Sequence, residues 1–384
     1  MQPETCAASG TATPDGPILR SYMPELDVLR GLAILSVVVF HGLYWSGAAS
    51  HTHGLARKFV LLTSGGWLGV NLFFVLSGFL ITGILLDTKR RDDYFHRFYR
   101  RRALRILPIY LVTLAILAID HGLTPKAFAV CILFLANYST PLHAGLTYGV
   151  LWSLAVEEQF YIVWPSVIKR VSVQTLTWTA GALCVVEPIL RWMSATHRIP
   201  LTDVHGNTLL ILDNLAFGAL AAVFARSSFG TRQYAWRLGG ILLLIGTFAE
   251  LAGSRMGILH RDNPFGSALQ ITPWNFIFTG ILLLALCWGS PFAKSIWSAP
   301  LRLLGYVSYG LYLLHMIVFL HYDRLVARTG PYQALLMSPY VRLLLAGGAA
   351  TGIAWLSRKY FEDWFLRIKV ERGDKSRPLL RQTP

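Results

Sequence analysis

Charge is what this sequence has little of. Asp, Glu, Lys and Arg make up 14% of its 384 residues, against about 25% in a soluble domain. The shortage runs along the whole chain, which excludes a soluble protein with a single anchor. Of the four cysteines, Cys131, Cys184 and Cys287 fall in apolar segments and Cys6 in the N-terminal tail, so no disulfide framework is readable. Nor is the start of this sequence expected to act as a cleavable leader. The first 22 residues hold Pro3, Pro14, Gly16 and Pro17 and no apolar core, so the first apolar run must act as the insertion signal. There is no Walker A loop, no HExxH and no CxxC. Between Gly305 and Gly310 the serine is misplaced for a nucleophile elbow, and the His-x4-Asp signature of glycerolipid acyltransferases is absent. His51 and His53 with Arg57 make too weak a set for a metal site, and no metal is expected.

What is present is apolar. Hydrophobic residues make up 54% of the chain, and mean hydropathy is +0.48. About 20 apolar residues carry a helix across a bilayer. Runs of that kind fall at 28–46, 66–87, 106–121, 126–139, 151–168, 174–194, 207–226, 236–253, 273–289, 303–321 and 340–357. Run 126–139 is short and broken by Asn137, Tyr138 and Ser139, the mark of an interfacial or re-entrant piece. These runs predict an all-α, polytopic integral membrane helix bundle of about ten transmembrane helices plus one short re-entrant or interfacial segment. The net charge of +15 then needs no nucleic acid partner. Eight of the 35 Lys and Arg lie in 88–105 and eight in 358–384, a positive-inside bias that puts both termini in the cytoplasm. The expected division is a flexible cytoplasmic tail at 1–22, a transmembrane domain at 23–365 and a basic cytoplasmic tail at 366–384.

Ionisable residues inside apolar runs mark function by default. The first run carries Asp27, Arg30 and His41. Arg30 and His41, eleven residues apart, fall within about 20° of one helix face and about 16 Å apart along the axis. The fifth helix reads Leu151-Trp-Ser-Leu-Ala-Val-Glu-Glu-Gln-Phe-Tyr161. Two adjacent glutamates there are costly unless partnered. The topology puts Glu157 and Glu158 at a depth similar to His41, so a His–carboxylate general-base pair is expected, with Glu158 the favoured partner. The competing reading is a buried packing ion pair, or a histidine that only bonds a neighbouring helix.

Other residues carry a bland and a sharp reading side by side. Ser77 and Gly78 suit close helix packing, and Asn71 is placed to contact substrate or a glutamate. Arg102 and Arg105 share a helix face at i,i+3 within a basic loop that also satisfies lipid phosphates. Their guanidinium forks equally suit the phosphates of an anionic donor on the cytoplasmic side, such as coenzyme A. His315 lies deep enough to approach the same site or to serve structure alone. Trp45, Trp67, Tyr148 and Trp152 belong to an interfacial belt or stack on a sugar. A transporter with a His/Glu proton relay is the reading from another class, and the clustered inner arginines fit it less well.

Taken in order, these segments resemble the acyltransferase-3 family of bacterial membrane O-acyltransferases. The matching pieces are Leu26-Asp-Val-Leu-Arg-Gly31 leading to His41, Gly69 to Thr82, Arg97 to Pro108, Trp152 to Tyr161, Gly305-Tyr-Val-Ser-Tyr-Gly-Leu-Tyr-Leu-Leu-His315 and Tyr360-Phe-Glu362. The resemblance implies an O-acyltransferase of the bacterial cytoplasmic (inner) membrane. Its donor would be acyl-CoA, acetyl-CoA by family frequency, and its acceptor a carbohydrate such as an envelope glycan, or a macrolide in some branches. It implies catalytic roles for His41, Glu158 and Glu157, and a donor site at Arg30, Arg102 and Arg105. Asn71, Ser77, Trp152, Ser153, Tyr309 and His315 are substrate-contacting or structural candidates. Asn71 stands where many members have aspartate, and Asp363 follows Glu362 where proline is common. With few residues after the last helix, the single-domain branch, without an appended hydrolase-like domain, is expected.

Overall fold

The computed structural model describes residues 16–50, 52–121, 123–201, 206–260, 263–288 and 293–371. Cys6 and His51 lie outside these, as do most of both predicted tails. The described residues form helices and no strands, apart from an isolated bridge between Pro17 and Thr231. The α-helices of six residues or more are, in chain order, α1 (Pro24–Val39), α2 (Gly54–Leu62), α3 (Leu68–Thr88), α4 (Tyr94–His121), α5 (Pro125–Ile132), α6 (Leu151–Arg170) and α7 (Val173–Ala195). There follow α8 (Leu212–Phe224), α9 (Arg232–Arg255), α10 (Pro264–Leu269), α11 (Thr272–Trp288), α12 (Ala299–Val326), α13 (Pro339–Leu356) and α14 (Asp363–Glu371).

Among the described residues, eight helices are long and apolar enough to cross a membrane, so the chain is an all-α polytopic membrane bundle. The two remaining expected spans are α6 and α8. The 20 residues of α6 reach about 30 Å, but they include Glu157, Glu158, Lys169 and Arg170. The 13 residues of α8 reach only about 20 Å. The interrupted run 126–139 folds as α5, eight residues long, followed by a single 3₁₀ turn at Ala136–Tyr138. At about 12 Å, α5 is far too short to cross.

Burial separates the centre of the bundle from its rim. The apolar window of α3 is 78% buried, whereas those of α7 and α9 are 17% buried. The rim presents Trp178, Leu244 and Phe248 outward, as a lipid-facing surface requires. In lipid, close packing replaces the hydrophobic drive between helices, and glycines permit it at several crossings. A Cβ on Gly78 would meet Leu215 O at 2.0 Å and one on Gly218 would meet Val75 O at 2.0 Å, which seats α3 against α8. Gly31 faces Leu301 O, and a Cβ on Gly305 would meet Asp27 O at 2.0 Å, which seats α1 against α12.

Several polar groups inside the bundle are paired across helices. Arg191 on α7 bonds Asp213 Oδ2 at 2.8 Å, Leu210 O at 2.9 Å and Ala268 O at 2.8 Å. Gln159 donates to Phe134 O and Asn137 Oδ1 and accepts from Thr208 Oγ1. It thereby pins the re-entrant piece to α6 and to the irregular stretch before α8. Part of the expected flexible tail is also docked. Ile18 is 1% exposed and its N–H bonds Gly230 O, while Arg20 pairs with Glu25.

Candidate active site

Five helices surround a cavity of about 100 Å³. α1 contributes one residue, and α3, α4, α6 and α12 each present a broad inward face of residues at helical spacing. Arg30 comes from α1, Phe73, Phe74, Ser77 and Leu80 from α3, and Arg102, Arg105 and Ile106 from α4. Ser153, Leu154, Glu157, Glu158 and Tyr161 come from α6, and Ser308, Tyr309 and Tyr312 from α12. The structure thus brings together all three arginines and both glutamates singled out in the sequence, with Ser77, Ser153 and Tyr309 beside them.

The cavity is polar at one side and ringed by aromatics. Arg30 lies 3.5 Å from Asp27. The Arg102 guanidinium stacks on Tyr161, 4.2 Å from the ring centroid. Among the described residues neither Arg102 nor Arg105 forms an ion pair, so two forked cations face the cavity unneutralised by a contacting carboxylate. Ser77 Oγ donates to Glu157 Oε1 at 2.7 Å. Glu158 is 8% exposed, and its Oε1 is buried with no hydrogen-bond partner. Tyr309 donates to Ile106 O, and Tyr312 bonds Ser153 Oγ at 2.6 Å and Val150 O at 3.1 Å.

The expected pairing of His41 with Glu158 is not what the structure contains. His41 lies in a π turn, Phe40–Tyr44, that continues α1, and it is not part of the cavity lining. Its Nδ1 is 3.0 Å from Val37 O and 3.2 Å from His315 Nε2. Both glutamates turn instead to the cavity, because the cavity is broad enough to meet two side chains about 100° apart on α6. The histidine pair and the cavity are joined through Tyr312. Its ring lines the cavity and lies 6.0 Å from that of His315, one turn further along α12.

Two other candidates serve packing rather than the cavity. Asn71 Nδ2 donates to Asn214 Oδ1 at 2.8 Å and touches no glutamate. Trp152 packs edge-on against Phe74, ring centroids 6.1 Å apart.

Arg342 was not singled out in the sequence, although a lone arginine in the run 340–357 is the kind of intramembrane charge that signals a site. It forks onto Asp323 at 2.7 and 2.8 Å and donates to Gly42 O at 3.2 Å. Trp45 N–H reaches back five residues to Phe40 O, and Arg342 takes the Gly42 carbonyl within the same turn. π turns inside helices cluster at functional sites. Tyr312 was likewise overlooked; its spacing of three from both Tyr309 and His315 is the readable signal.

Comparison with known proteins adds a family. A family model described as "Acyltransferase domain" matches residues 23–359. The chain is similar to the peptidoglycan O-acetyltransferase OatA of Listeria monocytogenes, 26% identical over 89% of this chain and 56% of that protein. It is 29% identical to the putative peptidoglycan O-acetyltransferase YrhL of Bacillus subtilis, over 77% of this chain and 48% of the other. It is 28% identical to the O-acetyltransferase OatA of Staphylococcus aureus, over 78% and 51%. The chain spans about half the length of these relatives. No solved structure gives a significant match.

Proposed function

This chain belongs to the acyltransferase domain family, and on that premise we propose that it moves an acetyl group from acetyl-CoA to a hydroxyl of an envelope glycan, its relatives' names pointing to peptidoglycan. The observation that carries the donor assignment is the cavity wall of Arg30, Arg102 and Arg105. Arg102 and Arg105, whose guanidinium groups have no carboxylate in contact, suit the phosphates of a nucleotide thioester, with Arg30 beside them. Entry from the arginine side would lead the thin pantetheine arm along the cavity toward Tyr312 and the histidine pair.

In this reading His41 is the general base. Its free ring nitrogen takes the proton of the acceptor hydroxyl as that oxygen bonds the thioester carbonyl carbon. The tetrahedral adduct then collapses, the C–S bond breaks, and the coenzyme A thiolate recovers the proton from the imidazolium. The products are an O-acetyl ester and free coenzyme A, with no net proton change. We assign the enzyme to the bacterial inner membrane with both termini in the cytoplasm, the side on which acetyl-CoA is made.

Coenzyme A titrated into the detergent-purified full chain tests the donor site. Saturable binding that weakens at least tenfold in Arg102→Ala with Arg105→Ala is expected. Unchanged binding in that variant would remove the donor from this cavity.

A further inference from the structure

We propose that His315 is the positioning residue for His41: a neutral imidazole that holds the base in one tautomer and takes the place expected of a carboxylate. The inference rests on the reading of His41 as the base and says how that base is held.

The assignment comes from accounting for hydrogens. His315 Nδ1 lies 3.1 Å from Leu311 O and 2.8 Å from Tyr312 O. Carbonyl oxygens only accept, so this nitrogen carries a hydrogen. In a neutral ring Nε2 is then bare and acts as an acceptor. It stands 3.2 Å from His41 Nδ1, which is also 3.0 Å from Val37 O. Two acceptors facing one nitrogen repel unless that nitrogen holds a hydrogen between them. His41 Nδ1 is therefore the protonated atom, and His41 Nε2 is the lone pair left to do chemistry.

The histidine pair is rigid where it needs to be. His315 is 0% exposed, anchored to its own helix through Nδ1 and boxed by the rings of Tyr312 at 6.0 Å and Phe319 at 6.3 Å. His41 sits on the π turn whose Gly42 carbonyl is taken by Arg342. A neutral orienting group also suits the surroundings. A carboxylate at this place would be a desolvated charge at rest, which burial disfavours. An uncharged imidazole avoids that cost, and its hydrogen bond becomes charge-assisted once His41 takes up the hydroxyl proton.

The test uses the full chain in lipid nanodiscs. Histidine-¹⁵N spectra, assigned by difference with His41→Ala, report the tautomer without any acceptor. A protonated Nδ1 and bare Nε2 on His41 are expected, with the Nδ1 resonance moving in His315→Leu. A His41 ring protonated at Nε2 would overturn the proposal. Transfer from acetyl-CoA to soluble peptidoglycan fragments supplies the second readout. His315→Leu should lower kcat about 100-fold with the acetyl-CoA KM unchanged. His315→Gln, whose amide oxygen can accept near the former Nε2, should recover most of it. His315→Asn is too short to reach His41 and should stay low, and it serves if the Leu variant does not accumulate. Equal rates in the Gln, Asn and native proteins would overturn the proposal. Full transfer by His41→Ala would overturn the base assignment itself, a result distinct from a failure confined to position 315.

Discussion

Arg191→Met should be among the most damaging substitutions far from the cavity. The native guanidinium is fully buried and satisfies three groups: the Asp213 carboxylate, also fully buried, and the carbonyls of Leu210 and Ala268. A fourth contact reaches Thr272 Oγ1 at 3.3 Å. Methionine has similar reach and no donors, so Asp213 Oδ2 loses its partner. Breaking one side of a buried ion pair costs about 3–5 kcal/mol, and each orphaned buried acceptor accounts for about 1–3 kcal/mol of such a loss. The damage should spread, because Asp213 Oδ1 accepts from Asn214, and Asn214 accepts from Asn71 on the central helix α3. Thermal unfolding of the detergent-purified chain, followed by circular dichroism, should show a midpoint lowered on the order of 5–10 °C. Adding Asp213→Asn to Arg191→Met removes the stranded charge and should recover at least half of that loss. A single variant within 2 °C of native (an order-of-magnitude bound from the same scaling), or a double variant no better than the single, would refute the reasoning.

Three further outcomes follow from the packing. Gly78→Ala places a methyl 2.0 Å from Leu215 O; separating α3 from α8 should cost about 1–3 kcal/mol, visible as a lower unfolding midpoint, whereas Gly240→Ala, inside α9 with open space around its Cβ, should not lower it. Gln159→Leu strips the re-entrant piece of its bonds to Phe134 O and Asn137, so proteolysis or hydrogen exchange around 134–139 should quicken before the rest of the bundle responds. Arg342→Met frees the Gly42 carbonyl and Asp323 together, and it should lower kcat for acetyl transfer at least tenfold while leaving coenzyme A binding, measured by titration, at its native strength.

The bundle was legible because lipid imposes its rule on every span: long apolar runs, and basic loops between them. The interrupted run at 126–139 was legible for the same reason, since three polar residues end it. The arginine wall could be read from i,i+3 spacing at Arg102 and Arg105, and Glu157 and Glu158 from their position in an apolar run. The partner of His41 was not legible. Depth along ideal helices put Glu158 level with it, but depth fixes only one coordinate. The rotation of α6, the crossings seated at Gly31 and Gly305, and the π turn at Phe40–Tyr44 decide the other two. Those features belong to tertiary packing, and a π turn leaves no mark in a single sequence. Asn71 was misread on similar grounds: its polarity was plain, but its partner, Asn214, lies 143 residues away. Arg191, Asp213 and Arg342 were readable as charges in apolar runs, and all three prove to hold the bundle or the π turn in place.

The most direct measurement is transfer itself. Inverted membrane vesicles containing the full chain, given acetyl-CoA labelled in the acetyl group, should accumulate label as alkali-labile ester on envelope glycan, and vesicles containing His41→Ala should accumulate none. Label appearing at the native rate without His41, or no label in glycan from vesicles whose protein binds coenzyme A, would contradict the account.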